Sequence, residues 1–120
     1  MNLDETRIWS ILQNHIGSQY PIRVGSLSVI TGLTGRTIRI IVKDLIETHH
    51  KPIGSTVHRP FGYFVIVNNE ERRAVRNSLM HRARSLLKRI QAYEPENSQW
   101  AARAIGQLEL EIQWLKKEIS

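Results

Sequence analysis

The sequence predicts a mainly helical protein that contains one small β-hairpin. Through most of the chain, apolar residues recur every three or four positions, which is the spacing of an amphipathic helix. Between residues 51 and 67 this period gives way to a short aromatic and β-branched run, which is typical of strands. We therefore expect helices on both sides of a hairpin.

The composition indicates a soluble cytoplasmic protein with a modest core. A length of 120 residues fits one domain of about 100 to 150 residues that includes appended helices. The chain has no cysteine, which excludes disulfides and thiolate metal sites. The first residues lack the pattern of a signal peptide, and no apolar run approaches the roughly 20 residues needed to cross a bilayer. We expect no membrane partner.

Positive charge is concentrated in the middle of the chain. The formal net charge is +6, from 17 basic and 11 acidic residues. Residues 35–89 contain twelve of the basic residues and only four acidic ones, whereas residues 90–120 contain three basic and five acidic ones. The middle segment is therefore the part expected to face a polyanion.

The first 34 residues predict two helices. One opens near Asp4 and ends at Gly17, and its apolar face consists of Ile8, Trp9, Ile11, Leu12 and Ile16. Residues 20–24 are too short for more than a linker or a small strand. Ser26 can cap a second helix over residues 27–31, which Gly32 terminates.

A third helix is predicted over residues 35–48, with Thr34 as its N-cap. Its buried stripe has helical spacing and consists of Ile38, Ile41, Val42 and Leu45. The opposite side carries Arg36, Arg39 and Lys43, a cationic surface that suits the phosphates and guanine edges of a DNA groove. An ordinary basic surface helix is the alternative. With the helix before it, this segment has the pattern of a helix-turn-helix over residues 27–45.

The hairpin should follow directly. Residues 51–55 are typical of an edge strand, because Pro52 cannot donate a ladder hydrogen bond. Residues 61–67 form the stronger strand, and residues 56–60 form the loop between them. This loop is where the wing of a winged helix-turn-helix would lie.

Two more helices are expected after the hairpin. An arginine-rich helix over residues 69–93, capped by Asn68 or Asn69, has an apolar face made of Val75, Leu79, Ala83, Leu86, Leu87, Ile90 and Tyr93. Pro95 separates it from a helix over residues 97–119 with a heptad seam of Ala101, Ile105, Leu108, Ile112, Leu115 and Ile119. Isoleucine at a and leucine at d favour two-stranded packing. The pair forms a helical hairpin, a dimerising coiled coil, or both.

Residues 27–39, with Leu45, residues 52–53 and residues 62–63, resemble the winged helix-turn-helix of the biotin-repressor and DeoR-like class. Residues 78–88 extend the resemblance to small phage and prophage proteins in which such a domain runs into an arginine-rich helix. The resemblance implies a winged helix-turn-helix domain over residues 1–68 and a helical extension over residues 69–120. This chain departs from the class in two places, since residues 47–50 contain no glycine and residues 60–63 keep only the second glycine of the wing.

We therefore expect a DNA-binding protein, either a phage-type transcriptional regulator or a replication accessory. Helix 35–48 would enter the major groove of double-stranded DNA, and the wing at 56–60 would reach phosphate or the minor groove. The expected contact residues are Thr34, Gly35, Arg36, Thr37, Arg39, Lys43, His58 and Arg59. A homodimer would form through Ile105, Leu108, Ile112, Leu115 and Ile119.

The alternative is a protein-interaction module that uses the winged helix and the heptad helix as docking and dimerisation surfaces, without sequence-specific DNA binding. An enzyme is not expected, because no catalytic motif is present, and neither is a cofactor or a small-molecule substrate. Residues 32–37 lack the spacing and lysine of a phosphate-binding loop. His49, His50 and His58 have no acid or cysteine at ligand spacing, so no metal site is expected.

Overall fold

The computed structural model describes residues 1–56, 58–59, 61–96 and 98–118. These residues form five helices and a two-stranded antiparallel sheet, so the expected mainly helical fold with a small hairpin is confirmed. The elements are α1 (Leu3–Leu12), α2 (Val24–Thr31), α3 (Gly35–Glu47), β1 (Ile53–Ser55), β2 (Tyr63–Val65), α4 (Asn69–Tyr93) and α5 (Gln99–Glu118). The chain divides into two compact units, Met1–Val75 and Arg76–Ser120.

Helix α1 is shorter than predicted and begins one residue earlier. The side chain of Asn2 accepts a hydrogen bond from the Glu5 backbone N–H at 2.8 Å, and the Glu5 carboxylate accepts one from the Asn2 N–H at 3.3 Å. This reciprocal capping box starts the helix at Leu3. The expectation that Ile16 belongs to the apolar face is wrong: it follows the helix, pairs as an isolated bridge with Val65, and is 54% exposed.

Helix α2 begins three residues before its predicted start. Arg23 occupies the cap position without a side-chain hydrogen bond, so the prediction of Ser26 as the cap is wrong. The predicted end is confirmed, because Gly32 is left-handed with φ of 75°. Arg7 of α1 donates to the carbonyls of Ile30 and Thr31, each at 3.1 Å, and so covers the C-terminal end of α2.

Helix α3 follows its prediction closely. Thr34 accepts a hydrogen bond from the Thr37 N–H at 3.2 Å, and the whole predicted stripe is buried, namely Ile38, Ile41, Val42 and Leu45. The helix ends without a glycine because His50 itself adopts the left-handed conformation, with φ of 53°. The Lys51 N–H then returns to the Leu45 carbonyl at 2.9 Å, which directs the chain into β1.

Both strands are shorter than the predicted segments 51–55 and 61–67. Ile53 pairs with Val65 and Ser55 pairs with Tyr63. The free edge of β2 is covered by two isolated bridges, an antiparallel one from Ile22 and a parallel one from Ile16. The possible small strand at residues 20–24 is therefore a single bridging residue. Within the expected loop, Val57 and Pro60 lie outside the described residues.

One core holds the first unit together. Its buried apolar residues come from the first three helices, β1 and the bridging segment, and they are Ile8, Leu12, Ile22, Leu27, Ile38, Ile41, Val42, Leu45 and Ile53. The start of α4 is attached to this unit by Asn68, which accepts the Glu71 N–H at 2.8 Å as the helix cap. Glu71 in turn accepts N–H groups from Ser18 and Val67.

In the second unit, the buried side of α4 is rotated away from the predicted face. Leu87 is buried, but Leu79, Leu86, Ile90 and Tyr93 are exposed, so their assignment to the covered face is wrong. The side of α4 with Met80 and Arg84 faces Ile112 of α5 instead. Among the described helices, none combines the length and apolar character required to cross a membrane.

Candidate nucleic-acid interface

The N-terminal half of α3 presents a cationic surface. Arg36, Arg39 and Lys43 are exposed on the side opposite the buried stripe, together with the apolar residue Ile40. The acidic residues of this helix, Asp44 and Glu47, lie in its C-terminal half. The surface available to a polyanion is therefore the first two turns of α3.

The first turn of α3 combines exposed hydroxyl groups with free backbone donors. The Thr34 hydroxyl donates to the hydroxyl of Thr37 at 2.9 Å, and both side chains lie at the helix start. Because the first amides of a helix have no partner within it, this end favours a negatively charged ligand. A phosphate at this end would also meet Arg36.

Gly35 allows α2 and α3 to approach closely at their first residues. A Cβ atom at this position would lie 3.3 Å from Cγ1 of Val24 and 3.4 Å from Nη1 of Arg39. The start of α2 therefore lies beside the start of α3. The Arg39 side chain extends back along α3 over its first turn, where its guanidinium is available near the helix start.

The base of the hairpin belongs to the same surface. Burial raises the pKa of the Tyr63 hydroxyl in β2, and the nearby Arg39 guanidinium acts in the opposite direction. Gly62, with φ of 157°, packs so tightly against the Ile22 carbonyl and the Arg23 N–H that a Cβ atom would overlap them. Strand β2 and the starts of α2 and α3 are therefore neighbours.

This arrangement adds Arg23 to the candidate residues. It is exposed, it directly precedes α2, and its backbone lies against Gly62 at the base of the hairpin. The sequence analysis missed it because the segment around it was interpreted as a linker. A basic residue immediately before a helix start was the signal that could have identified it.

The two predicted wing residues, His58 and Arg59, are exposed in the loop between β1 and β2. Among described residues, no hydrogen bond or ion pair joins them to α3. The geometry therefore brings Thr34, Gly35, Arg36, Thr37 and Arg39 together, as listed by their shared position in the first turns of α3. His58 and Arg59 extend this group only through the connectivity of the hairpin.

Lys43 has one acidic neighbour. Its Nζ lies 4.0 Å from Oε2 of Glu47, and the two side chains are 73% and 62% exposed. Ion pairs of this kind contribute about 0 to 1 kcal/mol. Exchanging Glu47 for a phosphate group would therefore cost Lys43 little.

The residues predicted for dimerisation do not remain one set. Ile105 is buried within the chain, whereas Leu108 and Leu115 are each 45% exposed and Ile112 is intermediate. Ile119 lies outside the described residues. The first part of the heptad seam is thus used inside the second unit, and the later part remains accessible.

One histidine has acidic neighbours, contrary to the expectation. His49 lies beside Glu5 and Asp44, and one potential ligand atom from each lies within 4.8 Å of the others. Sequence spacing did not reveal this group, because Glu5 belongs to α1 and is brought to the end of α3 only by packing. His50 and His58 do not belong to it.

The surface at the start of α3 offers guanidinium groups, hydroxyls and backbone amides, which are groups that bind phosphate and base edges. In the part of the chain that the structure describes, no nucleophile is paired with a base at this surface. Comparisons with protein-family models, with curated proteins and with solved structures found no match.

Proposed function

We propose that residues 1–68 are a winged helix-turn-helix that binds duplex DNA, with α3 in the major groove. The observation that carries this proposal is the separation of the two sides of α3. One side buries Ile38, Ile41, Val42 and Leu45, and the other exposes three cations in its first turns. A helix anchored in this way is rigid where it contacts its ligand.

The contacts follow from the position of each group. Arg36 and Arg39 are the base-reading residues, because arginine donates two hydrogen bonds to guanine in the major groove. Thr34, Gly35 and Thr37 place a DNA phosphate at the N-terminus of α3. Lys43 contacts a phosphate farther along the groove.

The hairpin and Arg23 complete the proposed interface. His58 and Arg59 are exposed in the loop of the hairpin, where a wing would contact the backbone or the minor groove. Arg23 lies between the base of the hairpin and the starts of both helices, which suits a contact to the phosphate backbone. A regulator of transcription and a replication accessory would use this surface in the same manner.

We further propose that two copies associate through the accessible part of the heptad seam. Leu108 and Leu115 occupy d positions and remain half exposed, and Trp114 beside them is 60% exposed. Covering these side chains with the same helix of a second copy would remove this apolar surface from water. Such a homodimer would present two α3 helices to two half-sites.

Binding of a random-sequence duplex at increasing salt tests the DNA proposal. We expect the logarithm of the binding constant to fall linearly with the logarithm of salt, by about 0.9 for each phosphate contact. The double variant Arg36→Ala with Arg39→Ala should bind at least about tenfold more weakly, since one arginine–guanine pair contributes about 1–3 kcal/mol.

The matched control is Lys116→Ala with Lys117→Ala, which removes the same charge from the far end of α5. It should bind DNA like the wild type if α3 forms the interface. Circular dichroism establishes that both variants are folded. A salt-independent signal, or equal loss of binding in the two double variants, would refute the proposal.

A second candidate function is a protein-interaction module. The observation that favours it is the exposed apolar surface of α5, where Leu110 is 63% exposed and Trp114 is 60% exposed beside a shallow groove that Arg84 also lines. A chain lacking residues 95–120 discriminates between the functions. If it binds DNA as one chain and has lost all self-association, DNA binding is primary; if it keeps self-association, the α5 surface is not the interface.

A further inference from the structure

A mixed cluster of ligand-type side chains lies at the C-terminal end of α3, separate from the cationic surface. Nε2 of His49 is 2.9 Å from Oε2 of Glu5 and 3.6 Å from Oδ2 of Asp44. The cluster joins α1 to the end of α3. One imidazole nitrogen and two carboxylate oxygens therefore converge on a single point.

The Glu5 carboxylate is the most informative member. Its side chain is only 9% exposed, and Oε2 has no hydrogen bond of acceptable geometry from any described residue. Nε2 of His49 is close enough to this oxygen but does not direct an N–H at it, as a simple ion pair would. A buried carboxylate oxygen without a donor is costly and calls for a positive partner.

The other oxygen of each carboxylate is already held by the protein. Oε1 of Glu5 accepts the Asn2 N–H at 3.3 Å, and Oδ1 of Asp44 accepts the Thr48 hydroxyl at 2.7 Å. These hydrogen bonds leave Oε2 and Oδ2 directed toward His49. Such outer contacts are what orient the ligands of metal sites.

We propose that Glu5, Asp44 and His49 bind one divalent transition-metal ion of the Zn²⁺ type, through Oε2, Oδ2 and Nε2. A tetrahedral Zn²⁺ with bonds of about 2.0–2.1 Å holds neighbouring ligand atoms about 3.3–3.4 Å apart. The measured separations of 2.9 and 3.6 Å lie on either side of this value. Small side-chain rotations are sufficient to bind the ion.

The donor set selects among ions. An imidazole ligand favours zinc and its neighbours, whereas Mg²⁺ and Ca²⁺ prefer sites made of oxygen alone. The side chains of Asp44 and His49 are 46% and 26% exposed, so water can occupy the fourth position from the solvent side. The bound ion would tie α1 to the end of α3 and stabilise the arrangement of the first three helices.

The test is titration of the chelator-treated full chain with Zn²⁺ alone, followed by calorimetry. We expect one equivalent to bind to the wild type and to raise the midpoint of thermal unfolding. His49→Asn should bind Zn²⁺ at least about tenfold more weakly, as should Asp44→Asn, which changes a more exposed ligand and protects the test against misfolding of the first variant.

The matched control is His50→Asn, which removes the neighbouring imidazole and keeps a residue type that tolerates a left-handed backbone. It should bind Zn²⁺ like the wild type, which separates the cluster from weak binding by exposed histidines. Failure of the wild type to bind one equivalent would overturn the proposal. Equal loss in His50→Asn and His49→Asn would do so too.

Discussion

Single side chains that link distant parts of the chain determine how the first unit is assembled. Arg7 reaches from α1 to the last carbonyls of α2, and Glu71 reaches from α4 to the turn at Ser18. Both supply a charged partner to backbone groups that helix and strand pairing leave free. Charge-assisted hydrogen bonds of this kind are stronger than neutral ones.

Glu71 provides a prediction with a defined pH dependence. Burial alone raises the pKa of its carboxyl, but the N–H donors of Ser18 and Val67 outweigh burial, so the pKa lies below its ordinary value. The stabilisation is therefore present above the pKa of the unfolded chain, about 4.3, and is lost as the pH falls through the lower folded value. Glu71→Gln should lower the free energy of unfolding at pH 7 by about 1 kcal/mol, as for a lost helix cap.

Urea denaturation at pH 7 and at pH 3 measures this effect. Glu70→Gln is the control, because it makes the same charge change on an exposed neighbour in the same helical turn. We expect Glu70→Gln to be close to neutral and the deficit of Glu71→Gln to shrink at the lower pH. A deficit that stayed the same at both pH values would show that the ionised carboxylate is not the stabilising species.

At the scale of elements, the hairpin is held between the segment that precedes α2 and the start of α4. Ile22 and Tyr63 exchange backbone hydrogen bonds of 2.8 and 2.9 Å on one edge of β2. On the face of the sheet, Gly54 leaves room for the Phe64 ring and for Val75 of α4. The position of the hairpin relative to α3 therefore depends on contacts from both sides.

Gly54 is the position where an added methyl group tests this packing. A Cβ atom would lie 2.7 Å from Cζ of Phe64 and 2.8 Å from Cγ2 of Val75, and Phe64 is itself buried. Gly54→Ala should lower the free energy of unfolding by about 1–3 kcal/mol through overpacking. Gly25→Ala, which adds a methyl group in open space on α2, should be neutral or stabilising. Equal unfolding midpoints for the two variants would contradict the described contact.

At the scale of the molecule, the chain separates functions between two units. The first unit contains the candidate DNA surface and the carboxylate–histidine cluster, and the second contains the accessible half of the heptad seam. The boundary falls inside α4, which is continuous from Asn69 to Tyr93. Association of copies through α5 would therefore be separable from DNA contact by α3.

The proposed dimer makes a prediction at this scale. Leu108→Ser with Leu115→Ser should reduce the mass measured by light scattering from that of two chains to that of one, because both side chains lie on the accessible seam. Leu110→Ser is the control, since Leu110 is exposed but lies off the seam. If the wild type already has the mass of a single chain, or if Leu110→Ser dissociates it equally, the proposed seam is not the interface.

Local rules predicted the helical elements well where they act within one turn. Thr34 and Gly32 mark the start and end of neighbouring helices, and the α3 stripe repeats with a clear period, so their positions followed from the order of residues. The start of α2 was missed because Arg23 makes no side-chain cap, and local signals therefore favoured Ser26 instead. The covered face of α4 was missed for another reason: α4 has several apolar rows, and only the position of α5 decides which one is buried.

The sequence by itself determined the mainly helical fold, the hairpin after α3 and the cationic face of that helix, because capping, hydrophobic period and charge placement are properties of near neighbours along the chain. Tertiary structure alone decided that Arg23 lies beside the hairpin, that Glu71 holds the Ser18 turn, and that Glu5 and Asp44 meet His49. These contacts join residues far apart in sequence, and packing of the shared core sets their distances rather than any local preference of the residues involved.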